Sequence, residues 1–208
     1  TYTNQTKIYE EDEYNNIIGV YTFSGWTDAG NGKMGDNDAM ITGEWHYKAV
    51  EVAKHGITYA WSGDVPETVT LPTDSNTYVK GQPYEVDKTF TAGHTINVTD
   101  QYGNVIGTYT FSGWNDPNNG VMGDSNITIT GHWTYEGQQV AAHKITYDWG
   151  TENIPEGETL PVDETLYVNG EPYKVDETFT AGQTINETDA HGNVIGTYTF
   201  SGWTDPNN

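Results

Sequence analysis

The chain of 208 residues contains no cysteine and no arginine, and only eight lysines stand against 30 aspartate and glutamate residues. The lack of cysteine excludes disulfides, zinc–thiolate centres and thiol nucleophiles. The formal net charge of -22 repels phosphate backbones and anionic lipid surfaces, so we expect no nucleic-acid partner. No apolar run approaches the roughly 20 residues that span a bilayer, which predicts no membrane insertion.

The chain also lacks an initiator methionine, a signal peptide and an anchor sequence, and we expect it to be a segment of a longer protein. Hydrophobic residues make up 34% of the chain, but aromatic residues reach 13%. Disordered chains contain few aromatic and β-branched residues. The abundance of Tyr, Trp, Thr, Ile and Val therefore predicts small, folded, β-rich units.

Internal repetition is the strongest pattern in the sequence. The string Tyr-Thr-Phe-Ser-Gly-Trp begins at Tyr21, Tyr109 and Tyr198, at spacings of 88 and then 89 residues. The string His-x-Ile-Thr-Tyr begins at His55 and again at His143. Solenoid units have periods of about 20–50 residues, so this longer period favours modules that each have a small core of their own.

The repeat divides the chain into three parts. Residues 1–50 correspond to the C-terminal part of a module, residues 51–142 to a complete module, and residues 143–208 to the N-terminal part of a third. The junctions at 45–55 and 133–143 are short and are not rich in Gly, Ser or Pro, which flexible linkers normally contain. We therefore expect an elongated tandem array, stiff at its junctions.

Strand patterns dominate within each copy. Residues 95–99 and 105–114 flank a Gly-Asn turn and predict a β-hairpin. Residues 127–133 and 144–149 alternate apolar and polar side chains, the pattern of a half-buried strand. Helix signals are few and are confined to two short stretches, 47–54 and 135–142. The predicted fold class is mostly β, in small modules with little helix.

Several motifs resemble the SHIRT repeats of Gram-positive surface adhesins. They are His-Lys-Ile-Thr-Tyr from His143, Leu-Pro-Val-Asp from Leu160, Ile-Thr-Gly-His-Trp from Ile129, and Gly-Asn-Val-Ile-Gly-Thr-Tyr-Thr-Phe-Ser-Gly-Trp from Gly192. The Tyr-Thr-Phe-Ser-Gly-Trp and Gly-His-Trp elements are more distantly similar to the β-grasp-type repeats of listerial internalin stalks.

The resemblance implies a β-grasp-like module with a structural role. It implies an extracellular location on the bacterial cell wall surface, where such modules project an N-terminal binding domain. The partners it implies are neighbouring modules of the same chain, with host glycan or host surface protein bound through other domains. The array would then act as an adhesin stalk.

The seven tryptophans recur at only three phases of the repeat. A ring that recurs within an alternating strand is typical of a core, because aromatic side chains contribute much of the apolar area of a small domain. Exposed rings for carbohydrate contact are the alternative. The predicted core residues are Trp26, Trp45, Trp61, Trp114, Trp133, Trp149 and Trp203.

Acidic side chains in the loop that follows each Phe-Ser-Gly-Trp are weak candidates for calcium ligands. The candidates are Asp28, Asp36, Asp116 and Asp124. Calcium binds six to eight oxygens, but the loop does not follow the EF-hand pattern. A solvated turn is the preferred interpretation. The histidines show no zinc-binding spacing, so no metal site and no cofactor are predicted.

No catalytic motif is present in the sequence. There is no Gly-x-Ser-x-Gly string and no Gly-rich phosphate loop, and small repeated units rarely form a large pocket. No lysine is kept at one phase of the repeat, which argues against a repeated Lys–Asn cross-link. We predict a non-enzymatic structural spacer. The alternatives are repeats that themselves bind host glycan or mucin, and a subunit that polymerises by strand addition.

Overall fold

The computed structural model describes residues 1–28 and 31–207. All regular secondary structure in these residues is β-strand, which confirms the predicted fold class. None of these residues belongs to a helix long and apolar enough to span a bilayer. The strands are β1 (Lys7–Glu11), β2 (Ile17–Asp28), β3 (Ile41–Ala49), β4 (Lys54–His55), β5 (Ile57–Gly63), β6 (Tyr78–Val79), β7 (Thr95–Thr99), β8 (Val105–Asn115), β9 (Ile127–Gly137), β10 (Ala142–His143), β11 (Tyr167–Val168), β12 (Thr184–Thr188) and β13 (Val194–Thr199).

These strands form several small sheets. One has the order β1-β2-β3, one the order β5-β9-β8-β7, and one contains the hairpin β12-β13. Strands β4 and β6 form a two-stranded sheet, as do β10 and β11. Strand β5 runs parallel to β9, with Ile57 opposite Ile127 and Gly63 opposite Trp133. The four-stranded sheet therefore joins the beginning and the end of the complete repeat copy.

The chain forms two compact units. The first consists of Thr1–Ile96 and Tyr109–Glu136, and the second of Asn97–Thr108 and Gly137–Asn208. These boundaries are not those of the repeat, because a hairpin tip from one copy packs with the copy that follows it. The division at 1–50, 51–142 and 143–208 stays a prediction.

The core of the first unit lies under the four-stranded sheet. Ile57, Tyr84, Met122, Ile127 and Ile129 form one buried cluster. The alternation of β9 explains the pattern, because every second side chain from Ile127 to Trp133 points into the core. Phe111 and Trp133 are completely buried, and the centroids of their rings lie 5.1 Å apart.

The structure corrects three local predictions. Neither weak helix candidate is helical: residues 47–49 belong to β3 and 54 to β4, residues 135–137 belong to β9 and 142 to β10, and the residues between them have no regular secondary structure. The predicted strand at 144–149 is wrong, since these residues have no assigned strand. The equivalent β5 is a strand because it pairs with β9. No comparable partner lies beside 144–149 among the described residues, so its backbone groups form no ladder.

Candidate functional site

The tryptophans occupy environments that depend on the strands around them. Trp133 is completely buried. Trp45, Trp61, Trp114, Trp149 and Trp203 are half-buried. Trp26 is 56% exposed, against the core placement expected from the repeat. Trp26 holds the same position in the repeat as Trp114, and Trp114 stacks on Trp61 of β5. Trp26 is more exposed because no strand equivalent to β5 lies beside it in the described residues.

The acidic residues considered as calcium ligands form hydrogen bonds and ion pairs within the protein. The Asp116 carboxylate accepts hydrogen bonds from the Tyr84 hydroxyl and from the amides of Asn118 and Gly120. Asp124 pairs with Lys80 at 2.9 Å. Asp28 accepts a hydrogen bond from the Gly32 amide.

No cluster of three or more potential metal ligands occurs in residues 1–28 and 31–207. Asp36 is exposed. The geometry therefore supports a structured turn at Asp116, whose carboxylate fixes the backbone of its own loop through the amides of Asn118 and Gly120.

Each of three hairpin tips begins with an aspartate and ends, four residues later, with an asparagine. In the second tip, Asp100 Oδ1 accepts the amides of Tyr102 and Asn104 at 2.8 and 2.9 Å. Asp100 Oδ2 accepts the side-chain amide of Asn104 at 2.9 Å. The first tip, from Asp12 to Asn16, and the third, from Asp189 to Asn193, repeat these bonds.

The asparagine side chain lowers the pKa of the aspartate in each tip. In Asp12, Asp100 and Asp189 the largest cause is the hydrogen bond from the Asn side chain, with further lowering by backbone amides. Hydrogen bonds to the ionised form favour it, so these carboxylates stay charged into the acid range. A charged carboxylate fixes the orientation of the asparagine amide, and the second amide hydrogen then points away from the tip.

In two of the three tips, the asparagine donates this second hydrogen to a backbone carbonyl of the following repeat copy. The Asn16 side chain donates to the Lys80 carbonyl at 2.9 Å. The Asn104 side chain donates to the Asn169 carbonyl, also at 2.9 Å. Lys80 and Asn169 hold the same position in successive copies, so the chain forms the same contact twice. We call this contact the joint.

A glycine completes each joint. Gly81 follows Lys80 with φ at 80°, and Gly170 follows Asn169 with φ at 79°. A Cβ atom at Gly81 would lie 3.1 Å from Cβ of Tyr14, and one at Gly170 would lie 3.4 Å from Cβ of Tyr102. The positive φ favours glycine at both positions, and at Gly81 a Cβ atom would also lie closer to Tyr14 than an ordinary van der Waals contact. The Xaa-Gly turn is therefore shaped to receive a hairpin tip.

An open groove lies in the second unit, between residues 144–149 and 194–203. It has a volume of about 1280 Å³, and Ile145, Tyr147, Trp149, Phe200 and Trp203 are among its lining residues. In the complete copy the same space is filled by β9, which lies between β5 and β8.

Sequence reasoning placed the tip residues in a turn but did not find the joint. Its sequence signal is an Asp-x-x-x-Asn tip, found in all three copies, together with a Xaa-Gly turn about 65 residues further on in two of them. Each half appears as an ordinary turn, and only the fold brings Asn104 to Asn169.

No protein-family model matches the chain, and no curated protein matches it. Among solved structures, the chain is similar to the Streptococcal High Identity Repeats in Tandem (SHIRT) domains 3-4 from a cell surface protein. That similarity covers 66% of this chain and 82% of the other, with 14% identity and a TM-score of 0.28. It is a weak structural relationship.

Proposed function

We propose that this chain is a non-catalytic spacer, a stalk segment of a bacterial cell-surface adhesin that holds a ligand-binding head away from the cell wall. The observation that carries the proposal is the joint, which forms twice between the same atoms of successive copies. A spacer keeps its two ends far apart only if consecutive modules resist bending relative to one another. A contact that recurs at each junction is the feature such a protein requires.

The chemistry of the joint supports resistance to bending. Asp100 immobilises the Asn104 amide before that amide reaches the next copy. Less side-chain entropy is then lost when the second hydrogen bond forms. A hydrogen bond of this kind contributes about 0.5–1.5 kcal/mol. The close packing of Tyr102 against Gly170 adds van der Waals contact to this hydrogen bond.

The acidity of the chain is consistent with a spacer. The net charge of -22 makes neighbouring copies on one surface repel each other, which keeps them soluble and separate. Lys80, Lys88 and Lys144 form ion pairs that are all exposed, so these pairs contribute little to stability.

Small-angle scattering of the full chain tests the proposal directly. A compact globule of this length has a radius of gyration of about 17 Å. We expect a clearly larger radius and a maximum dimension that stays unchanged over a range of salt concentrations. A radius close to that of the globule would refute the spacer proposal.

The joint can be tested with a matched pair of variants. Asn104→Ala removes both the tip hydrogen bond and the bond to Asn169, whereas Asn193→Ala removes only a tip bond among the described residues. Because the chain has no cysteine, spin labels can be placed singly at Thr99 and Val162. We expect Asn104→Ala to broaden the measured distance distribution between these labels, and Asn193→Ala to leave it unchanged. Equal distributions in both variants would show that the joint does not limit bending.

A further inference from the structure

The turn that receives the first hairpin tip is bonded on two sides. Residues 79–82 form this turn, which we call the receiving turn. The carbonyl of the peptide unit between Lys80 and Gly81 accepts the Asn16 side-chain amide of the preceding copy at 2.9 Å. The N–H of the same peptide unit donates to the Met122 carbonyl at 2.8 Å. Because a trans peptide directs these two groups in opposite directions, the tip and Met122 lie on opposite sides of the peptide unit.

The Met122 side chain belongs to the core of the complete copy. It is 1% exposed and packs in the buried cluster that also contains Ile57 and Ile129. The Met122 backbone holds the receiving turn a second time, because its amide donates to the Gln82 carbonyl at 2.9 Å. A shift of Met122 in the core therefore moves the peptide unit that accepts Asn16.

The backbone that leads to Met122 is fixed by the structured turn at Asp116. We call residues 116–122 the inner loop. The Asp116 carboxylate accepts the Gly120 amide at 2.7 Å, and the Gly120 carbonyl accepts the Tyr84 amide at 2.9 Å. Gly120 has φ at 80°, a conformation that favours glycine. The inner loop thus holds the Met122 carbonyl in a fixed place beside the receiving turn.

These contacts form a continuous chain of hydrogen bonds. It runs from the Asp12 carboxylate through the Asn16 side-chain amide and the Lys80–Gly81 peptide unit to the Met122 carbonyl. Hydrogen bonds in such a chain polarise one another, and each is strengthened by roughly 10–30%. Loss of the bond at Met122 therefore weakens the bond at Asn16, although the two residues belong to different copies.

We propose that the core of the complete copy controls the joint with the preceding copy, through Met122 and the inner loop. Met122 is a positioning residue, because it acts on Asn16 through the peptide unit between them. The joint is firm while this core is fully packed, and it opens when the core loosens. This regulation rests on the proposed spacer function, since it determines when the junction resists bending.

A pair of core variants tests the coupling. Met122→Ala and Ile129→Ala each remove a buried side chain from the same cluster, and both create a cavity there. Met122 is bonded through its backbone to the receiving turn, whereas Ile129 lies in β9 and pairs with Tyr59 of β5. We therefore expect Met122→Ala to loosen the joint and Ile129→Ala to leave it closed.

A pair of glycine variants makes the same comparison without a change in the core side chains. Gly120→Ala strains the inner loop, because alanine rarely adopts its φ of 80°. Gly93→Ala is the matched control, since φ there is 88° and a Cβ atom would meet nothing within 4 Å. We expect only Gly120→Ala to loosen the joint. This pair decides the question if the Met122→Ala chain does not fold.

Hydrogen exchange of the full chain, followed by NMR, measures the joint itself. The observed groups are the side-chain amide of Asn16 and the backbone amide of Gly81. We expect both to exchange at least about tenfold faster in Met122→Ala and in Gly120→Ala than in wild type, equivalent to about 1.4 kcal/mol in the free energy of opening. Both should keep their wild-type rates in the two control variants.

Asn16→Ala tests the coupling in the opposite direction, because a coupling free energy between two sites is reciprocal. Exchange at the Met122 amide should be faster in this variant. Exchange at the Phe111 amide, which is bonded to the His94 carbonyl at 2.8 Å in the same copy, should not change. Unchanged exchange at Met122 would contradict the coupling.

The inference is overturned if neither Met122→Ala nor Gly120→Ala accelerates exchange at Asn16 and Gly81, or if the control variants accelerate it equally. Either result leaves the spacer function standing, because the joint could still resist bending without control by the core. A compact chain in small-angle scattering would instead refute the spacer function, whereas the hydrogen-exchange comparison would still decide the coupling.

Discussion

At the scale of single residues, the glycine that packs against the stacked indoles sets a severe packing constraint. The buried Gly131 leaves no room for a methyl group, since its Cβ atom would lie 2.5 Å from the Trp61 ring. We expect Gly131→Ala to lower the free energy of unfolding by about 1–3 kcal/mol, the usual cost of overpacking. Urea unfolding followed by tryptophan fluorescence measures this change.

Gly56 is the control for that substitution. A Cβ atom at Gly56 would meet nothing within 4 Å, and its backbone conformation suits any residue. Gly56→Ala should therefore be neutral, or should stabilise by about 0.4–1 kcal/mol through the unfolded chain. If the two alanine variants unfold at the same urea concentration, the indole stack does not constrain β9.

The pair formed by Tyr84 and Asp116 gives a prediction for pH. Burial, and then the hydrogen bond to Asp116, raise the pKa of Tyr84. Partial burial raises the pKa of Asp116, but hydrogen bonds from Tyr84 and from the amides of Asn118 and Gly120 outweigh it and hold the pKa below 3.8. The stability that this carboxylate contributes is present above pH 3.8 and is lost as pH falls through the lowered pKa.

Tyr84→Phe removes one of those hydrogen bonds. We expect the pKa of Asp116 to rise and the stability at neutral pH to fall by about 1–2 kcal/mol. The loss of stability on acidification should become smaller in the variant. Carboxyl titration by NMR measures the pKa values, with Asp205 as the internal reference because it retains its own partner Tyr173. An unchanged pKa at Asp116 would contradict the role given to Tyr84.

At the scale of elements, the hairpins could be predicted from the sequence and the joint could not. The Gly-Asn turn and the flanking alternation predicted β7 and β8, because hairpins depend on residues close in the chain. The helix candidates failed because a few Ala and Glu residues are a weak preference that strand pairing overrides. The parallel pairing of β5 with β9 joins residues 70 apart, and no local pattern encodes it.

The stretch 144–149 shows most clearly why alternation alone was insufficient. Its sequence alternates like that of β5, yet strand structure requires a neighbour that accepts its hydrogen bonds. We therefore expect the amide of Tyr147 to exchange with solvent much faster than that of Tyr59, whose strand is paired with β9. Hydrogen exchange by NMR at low protein concentration measures the two rates.

Equal protection of both tyrosines would mean that residues 144–149 are already paired, and it would contradict this prediction.

At the scale of the whole molecule, charge opposes compactness. The net charge of -22 is spread over a chain whose described residues include no buried charged side chain, so the repulsion acts through solvent. Salt shortens its range from about 30 Å at 0.01 M to about 8 Å at 0.15 M. We expect the midpoint of thermal unfolding at pH 7 to rise over this range of sodium chloride concentration, because screening relieves self-repulsion in the folded state.

The same salt series near pH 4.2 is the control, since that is the isoelectric point of the chain. With little net charge to screen, the midpoint should change much less with salt. The carboxylates of the hairpin tips keep their role under these conditions, because the pKa of Asp100 lies below 3.8. Circular dichroism at 218 nm or tryptophan fluorescence would follow both series. A midpoint at pH 7 that does not move with salt would show that the acidic surface imposes no measurable strain on the fold, and its role would then be confined to keeping copies apart.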